Sequence, residues 1–515
     1  MKTKILLFAI FIIASISMSQ AQIAGIANGD GTAANPYQIG TPSELVAFKT
    51  AVSTALGVGP AAAYYVLTAN IDMTNETNFY GIGFYTNTFT GKFDGKGYKV
   101  SGLNVGSAGS PFDNGNAFNT GFFGGITGAT IKNLWVDVNY HISSTSSSST
   151  NGTLCGGLVG TIYGVAGSVS IIDNCKVTGS ISSETTATST VAGRATAGGL
   201  VGAANGASSN IYILNSSVNA TISAKNSFAT GGPAMCAGIV GQVWQSAGMI
   251  LKIVNCSAAG SVSAKSASTT SYAAGIATFN YAPAPTAEIY NCLATNTITS
   301  TGSIATGYIG ATASGIAQLP NTNCILKNCI ALNPKISSIN NAVGSTAVSA
   351  VNRIWSVGTI TTDFNYAKSD MIIESTVNGV GPTPIVITEL TKIATGKDGA
   401  DLGADPMAEA TTKLNSYVTA NPTINSIALK TWVAGALTEG VTAVKQLELN
   451  PINYSITNGN LKISGIEGSK QLSIYNISGA VCKQLTVNDS YSTKLAKGIY
   501  ILQVNGYAPS KLVVY

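Results

Sequence analysis

The sequence predicts an all-β chain: a stacked array of strand-bearing coils, closed by a helix at its N-terminal end and followed by a small Ig-like β-sandwich. Three observations carry this. A small-Gly-aliphatic phrase recurs at Gly124-Gly125-Ile126, Gly156-Gly157-Leu158, Gly198-Gly199-Leu200, Ala237-Gly238-Ile239, Ala274-Gly275-Ile276 and Ser314-Gly315-Ile316. An Asn phrase follows each, and Asn133, Asn174, Asn215, Asn255, Asn291 and Asn328 stand 41, 41, 40, 36 and 37 residues apart. A period of this size marks an array in which each unit leans on its neighbours. Charged residues make only 10% of the 515, and Gly, Ser, Thr, Ala and Asn fill their place, which is how short strands and turns are written. From residue 451 the style changes to short alternating strands separated by turns, as in a sandwich.

The elements follow in order. Lys2 and Lys4, the apolar run Ile5 to Met18 and the small residues Ser19-Gln20-Ala21 read as a secretory signal over 1–21. The apolar run is short of the ~20 residues that a membrane span needs, so no transmembrane helix is expected in the mature chain. Asn35 to Ile39 forms a first strand. Thr41-Pro42-Ser43-Glu44 then opens a helix, with Thr41 as N-cap and Glu44 completing a capping box. Leu45, Val46, Phe48, Lys49, Val52 and Leu56 follow, with apolar residues at helical spacing, so the helix caps an end that would otherwise expose strand edges. Tyr64 to Leu67 and Asn70 to Met73 return to strand, and Asp94-Gly95 and Lys96-Gly97 carry turn chemistry.

The phrase from Phe89 to Leu103, the preceding Asn35-to-Met73 wording and the Gly-Gly-Leu units resemble bacterial cell-surface proteins with GLUG repeats. The resemblance covers roughly 30–340 and implies a right-handed parallel β-helix. The residues agree. Leu158-Val159, Val169 to Ile172 and Val177 to Ile181 are three apolar pieces parted by turns, which suits a three-sided coil. His141 to Leu154, Ser182 to Ala197 and Ala224 to Pro233 read as polar insertions thrown outward. Stacked coils place the six asparagines above one another, where amides can bond up and down as a ladder. Cys175, Cys256, Cys292 and Cys329 hold the next position, exchanged with Leu134 and Ser216, and read as small buried filler; an exported chain could instead oxidise them. After Asn328 the array fades through Arg353-Ile354-Trp355 and Asp363 to Tyr366. Asp405 to Ala420 reads as a helix, Leu429 to Trp432 as a strand, and Trp432 as an end plug. The array with its caps is thus expected over 22–440, with a linker at 441–450.

The tail wording, Leu472-Ser473-Ile474-Tyr475 through Gly498-Ile499-Tyr500 to Lys511 and Tyr515, resembles the type A C-terminal sorting domain of the type IX secretion system of Bacteroidetes. The resemblance covers roughly 451–515. It implies that the secretion machinery is a partner and that Gly498, Ile499, Tyr500 and Lys511 belong to the sorting motif. It implies outer-membrane passage and surface attachment or release.

Chemistry is harder to find. With two arginines, Arg194 and Arg353, and a formal charge of +5 that falls to about +3 without Lys2 and Lys4, no basic stripe invites nucleic acid. Glycoside hydrolysis needs two facing carboxylates. Between 121 and 350 the acids are Asp137, Asp173, Glu184 and Glu288, and no two share a face. The one histidine, His141, borders a Ser-rich loop. No catalytic residue, no metal set and no cofactor is therefore expected. Tyr163, Asn205, Trp244 and Tyr281 each stand six residues after the second Gly of a phrase. Tyr163, Trp244 and Tyr281 would make a broken aromatic column suited to sugar rings or a host or cell-surface ligand. The reading is a non-catalytic surface protein acting in adhesion or binding, with a structural envelope role as the alternative and a polysaccharide lyase or glycoside hydrolase the least supported.

Overall fold

The computed structural model describes residues 22–438 and 450–514, except 55–58, 78, 85, 114–118, 145–151, 187–192, 229–231, 245–247, 280–285, 305–308, 319–322, 343–344, 346, 378–379, 386–391, 452, 477–480, 505–506 and 509. The signal segment and most of the expected linker lie outside these residues. The chain divides into two compact units, Met1–Gly440 and Val441–Tyr515.

The first unit is a parallel β-solenoid. One coil shows the plan. Val169–Asp173 lies in a first sheet, Lys176–Thr185 in a second, Ala195–Gly198 in a third and Val201–Gly206 in a fourth. The chain then returns to the first sheet at Asn210–Leu214, in parallel register with the strand below (Val169 beside Asn210, Asp173 beside Leu214). The first sheet has ten strands, the second fifteen, and the third and fourth seven each.

Each coil therefore has four strands where the sequence suggested three. The missed strands, such as Thr153–Gly156, Ala195–Gly198 and Ala234–Ala237, begin inside or directly after stretches that read as loops. All four residues are buried in each of them, so neither face carries the polar alternation that announces a strand. The second-sheet strands also run into the apparent insertions, as far as Ser144, Thr185 and Asn226.

Two corners explain the repeated phrases. Between the first and second sheets the Asn takes a left-handed backbone: φ is 52° at Asn133, 53° at Asn174, 49° at Asn215, 59° at Asn255, 54° at Asn291 and 52° at Asn328. Asparagine tolerates that region better than other residues with a Cβ. Between the third and fourth sheets the second Gly of the five phrases from Gly157 to Gly315 is constrained by stacking, whereas Gly124-Gly125-Ile126 lies inside a fourth-sheet strand, with Gly125 beside Thr161 and Phe122 stacked on Gly157. A Cβ on Gly199 would lie 2.0 Å from the Gly238 carbonyl oxygen, and one on Gly275 1.9 Å from that of Gly315. At the first position Gly156 and Gly198 are also closely packed, a Cβ on Gly198 lying 1.8 Å from the Val201 carbonyl oxygen, while Ala237, Ala274 and Ser314 fill it in later coils. The third is the buried aliphatic: Leu158, Leu200, Ile239, Ile276 and Ile316 are each fully enclosed.

Helix α1 (Pro42–Thr54) closes the N-terminal end. Glu44 Oε2 accepts from the Thr41 amide at 3.1 Å, and Thr41 Oγ1 accepts from the Glu44 amide at 3.3 Å, which is the capping box. Phe48 enters an aromatic cluster, 4.1 Å from the Tyr65 ring and 5.6 Å from Phe93. The C-terminal end is closed differently from expectation. Arg353 stands where earlier coils have the second Gly, and it is 1% exposed. Its guanidinium donates to the Lys368 and Gly399 carbonyls at 3.2 and 2.9 Å and pairs with Asp401. Trp432 plugs no end.

Trp432 belongs instead to a side strap. Helix α2 (Pro406–Ala420) starts at Asp405, whose side chain accepts from the Ala408 amide at 3.0 Å. It is followed by two short hairpins, Thr423–Ile424 with Ile427–Ala428 and Trp432–Val433 with Ala436–Leu437. Leu414, Val418, Leu429 and Trp432 bury themselves on Leu214, Val254, Leu293 and Ile330, one residue from each of four successive coils. The strap therefore runs along the array beside its Asn corner.

The second unit is an antiparallel sheet region. Its strands are Asn453–Thr457, Asn460–Asn476, Val481–Lys494, Gly498–Val504 and Ser510–Val514. Asn458-Gly459, both at positive φ, make the tight turn of the first hairpin. Leu461, Ile463, Leu472, Ile474, Leu502, Val504, Leu512 and Val514 form its core.

Candidate functional site

The six asparagines hydrogen-bond along the array. Asn174 Nδ2 donates to Asn133 Oδ1 at 2.6 Å, Asn255 to Asn215 at 2.8 Å, Asn291 to Asn255 at 2.8 Å and Asn328 to Asn291 at 2.6 Å. One link differs: Asn215 Nδ2 donates to Asp173 Oδ1 at 2.8 Å. The row ends at the N-terminal side on a carboxylate, with Asn133 Nδ2 donating to Asp94 Oδ1 at 2.9 Å. The strap completes the row. Asn215 Oδ1 accepts from the Lys430 amide at 2.9 Å, Asn255 Nδ2 donates to the Lys430 carbonyl at 2.9 Å, and Trp432 Nε1 donates to Asn255 Oδ1 at 2.6 Å.

The cysteine column is buried. Cys175, Cys256, Cys292 and Cys329 are unbridged, and each thiol lies against backbone carbonyls, as Cys256 Sγ does against Val254 O at 3.4 Å. Burial raises the pKa of the Cys175, Cys256 and Cys292 thiols and pushes Cys236 up to about 12. Such thiols are not nucleophiles at neutral pH.

The four acids of the array are dispersed. Asp137 pairs with Lys99 at 2.9 Å, Glu184 with Lys225 at 2.6 Å and Glu288 with Lys252 at 2.8 Å. Glu184 and Lys225, and Lys252 and Glu288, are register partners on adjacent coils, so these are rungs between strands. Burial raises the Asp173 carboxyl above its ordinary range, only partly offset by Asn215, Lys430 and Lys132. His141 Nε2 lies 3.0 Å from Asn139 Oδ1, with its pKa lowered by burial. Among the described residues no three His, Cys, Asp or Glu side chains gather as a metal set.

The aromatic column is tied down where it is described. The Tyr163 hydroxyl accepts from Asn119 Nδ2, and Tyr163 stands beside Asn205 of the next coil. Trp244 follows one coil on, with the Arg194 guanidinium 4.4 Å over its ring. Tyr163 and Trp244 are both half-buried. Tyr281 lies outside the described residues.

A cleft opens on the outer face of the first sheet near the N-terminal end, with a volume of about 420 Å³. Tyr64, Lys92 and Thr130 are register partners on three neighbouring strands, as are Val66, Asp94 and Lys132. Lys96, on the turn after Asp94, joins them in the lining. Asp94 Oδ2 lies 3.3 Å from Lys96 Nζ and 3.5 Å from Lys132 Nζ. Burial pushes the Asp94 carboxyl up, but the Asn133 and Lys96 hydrogen bonds and the two ammonium groups outweigh it and hold the pKa below the ordinary value. Sequence reasoning took Asp94 to Gly97 as turn chemistry alone. The signal it passed over is the alternation of Lys92, Asp94 and Lys96 on a strand and turn whose neighbouring strand brings Lys132.

In the second unit Gly498, Ile499 and Tyr500 lie on the strand paired with Ser510–Val514, and Tyr500 stands opposite Leu512, Ile501 opposite Lys511.

No known family description matches the chain, and no curated protein does. A solved structure described as a "putative immunoglobulin A1 protease" from Bacteroides ovatus is similar in fold, with a TM-score of 0.45 and 19% identity over 76% of this chain and 89% of that one. Among the described residues, no helix is long and apolar enough to cross a membrane.

Proposed function

We propose that this chain is an exported β-solenoid of GLUG-repeat type that is held at the bacterial surface and binds ligands there without catalysis. The observation that carries the reading is the fate of the acids. Asp137, Glu184 and Glu288 are each spent on a lysine of a neighbouring coil, and Asp173 on the Asn row. Two-carboxylate hydrolysis needs a facing pair. What remains is a rigid stack with a lysine-lined cleft, and rigid concave sites with a few placed polar groups suit binding.

The tail supports export. Its wording resembles a type IX sorting domain, and its strand-borne Gly498-Ile499-Tyr500 and Lys511 are the motif positions. In this reading the secretion machinery is the partner of 451–515. Expression of a chain lacking 451–515 tests it: the truncated protein should collect in the periplasm, and display of that truncation on the cell surface would refute the sorting role. A broad glycan array tests binding by the secreted protein. No bound glycan on it would sink the glycan form of the proposal.

A further inference from the structure

We propose that the cleft formed by Tyr64, Lys92, Lys96, Lys132 and Asp94 binds an acidic sugar unit, a pyranose bearing carboxylate or sulfate within a polysaccharide. This rests on the binding reading above and gives it a site and a ligand class.

The charge count points to an anion. Three ammonium groups line the cleft against one carboxylate. That carboxylate is committed: its Oδ1 accepts from Asn133 Nδ2 and the Lys96 amide at 2.9 Å each, and its Oδ2 lies between Lys96 and Lys132. Lys92 Nζ donates to Thr130 Oγ1 at 2.9 Å and makes no ion pair among the described residues. Burial lowers the Lys92 pKa, a penalty that a bound anion would relieve.

The shape points to a sugar. Tyr64 is 39% exposed and stands beside Lys92 across the strand pair. An aromatic face next to ammonium groups suits a ring with a C–H face and a charged substituent. Ala33 and Pro36 complete an apolar wall. The volume of about 420 Å³ falls in the ~300–1,000 Å³ range of small-molecule sites. The floor is rigid, because its residues are fixed by parallel strand register with coils on both sides. An acidic peptide would satisfy the lysines but would make no use of the exposed ring.

The test uses the full-length secreted protein and four immobilised polymers: polygalacturonate, dextran sulfate, neutral dextran and polyglutamate. Binding is expected to polygalacturonate, dextran sulfate or both, with the preferred one identifying carboxylate or sulfate. It should weaken with salt, since exposed charges are screened. Lys92→Met, Lys132→Met and Tyr64→Ala should each weaken it about tenfold, while Tyr64→Phe should leave it unchanged. Melting curves confirm that each variant is folded. Folded variants that bind acidic polysaccharide like the parent would overturn the cleft assignment and leave the binding reading standing. Polyglutamate bound as tightly, with no effect of Tyr64→Ala, would replace the sugar with an acidic peptide. Failure to bind both acidic polysaccharides overturns the proposal, and the glycan array then decides whether the wider reading survives.

Discussion

The Asn corner of the array falls into two stretches with the same backbone and opposite surroundings. From Asn215 to Asn328 the flanking outward residues are Leu214, Val254, Leu293 and Ile330, and the strap lies over them. From Asp94 to Asn174 the corresponding positions hold Lys132 and Asp173, with Trp135 and Lys176 after the turn, and the corner adjoins the lysine cleft. The turn conformation and amide row are common to both. The strap thus accompanies an apolar residue on one side or the other of the turn, and where charged residues flank the turn it makes contact through Lys430 at Asn174. Scaffold and surface character are separable in this repeat.

The most severe way to break the comparison is to remove residues 405–438. Burying a Leu, Val or Ile side chain contributes about 1.5–3 kcal/mol each, so uncovering four coils should strip most of the solenoid's stability. The truncated protein should bind a hydrophobic dye and lose its cooperative melt; melting at the parental temperature would make the strap dispensable. Trp432→Ala should cost about 3–5 kcal/mol by chemical denaturation, from lost packing and the lost hydrogen bond to Asn255 Oδ1. Asn255→Gly keeps the left-handed turn but removes bonds to Asn215, Asn291, Lys430 and Trp432. It should cost about 2–4 kcal/mol, and Asn133→Gly in the open stretch about 1 kcal/mol. Equal costs would mean that the strap adds nothing to the row.

Acid titration sharpens the contrast further, because the two carboxylates at the row shift in opposite directions. The folded pKa of Asp94 is held below its ordinary 3.8, so its contribution is present above that value and is lost as pH falls through the folded pKa. The folded pKa of Asp173 is raised above 3.8, so its contribution is present below 3.8 and is lost as pH rises through the folded pKa. Denaturation midpoints against pH should therefore show Asp94→Asn removing part of the acid lability, and Asp173→Asn removing a loss of stability on the alkaline side of 3.8. The smallest effect expected is Glu288→Gln, under about 1 kcal/mol, since a partly exposed pair with Lys252 contributes little.

The corners were legible in the sequence because each has a local chemical requirement. Asn serves a left-handed turn, the second Gly a backbone contact between coils, and Thr41 with Glu44 or Asp405 with Pro406 a helix start. The third-sheet strands were not legible, since Ala195–Gly198 is buried on both faces and shows no period. The strap's helix was legible and its place was not: Asn215 bonds to Ala428, 213 residues away, and no local pattern specifies such a partner. Arg353 could have been suspected, being an arginine at the position held by Gly157, Gly199, Gly238, Gly275 and Gly315 in the five preceding coils. The cleft escaped because its residues come from three strands that only the register brings together.

That separation of 213 residues also imposes an order on maturation. Ribosomes deliver a chain from its N-terminus, so the coils of Asn215 to Asn328 emerge and stack while the segment that covers them is still behind. During that interval their flank is an oily seam with unsatisfied amides. Trp432 is the stitch that closes it, and it arrives only when nearly the whole solenoid has passed.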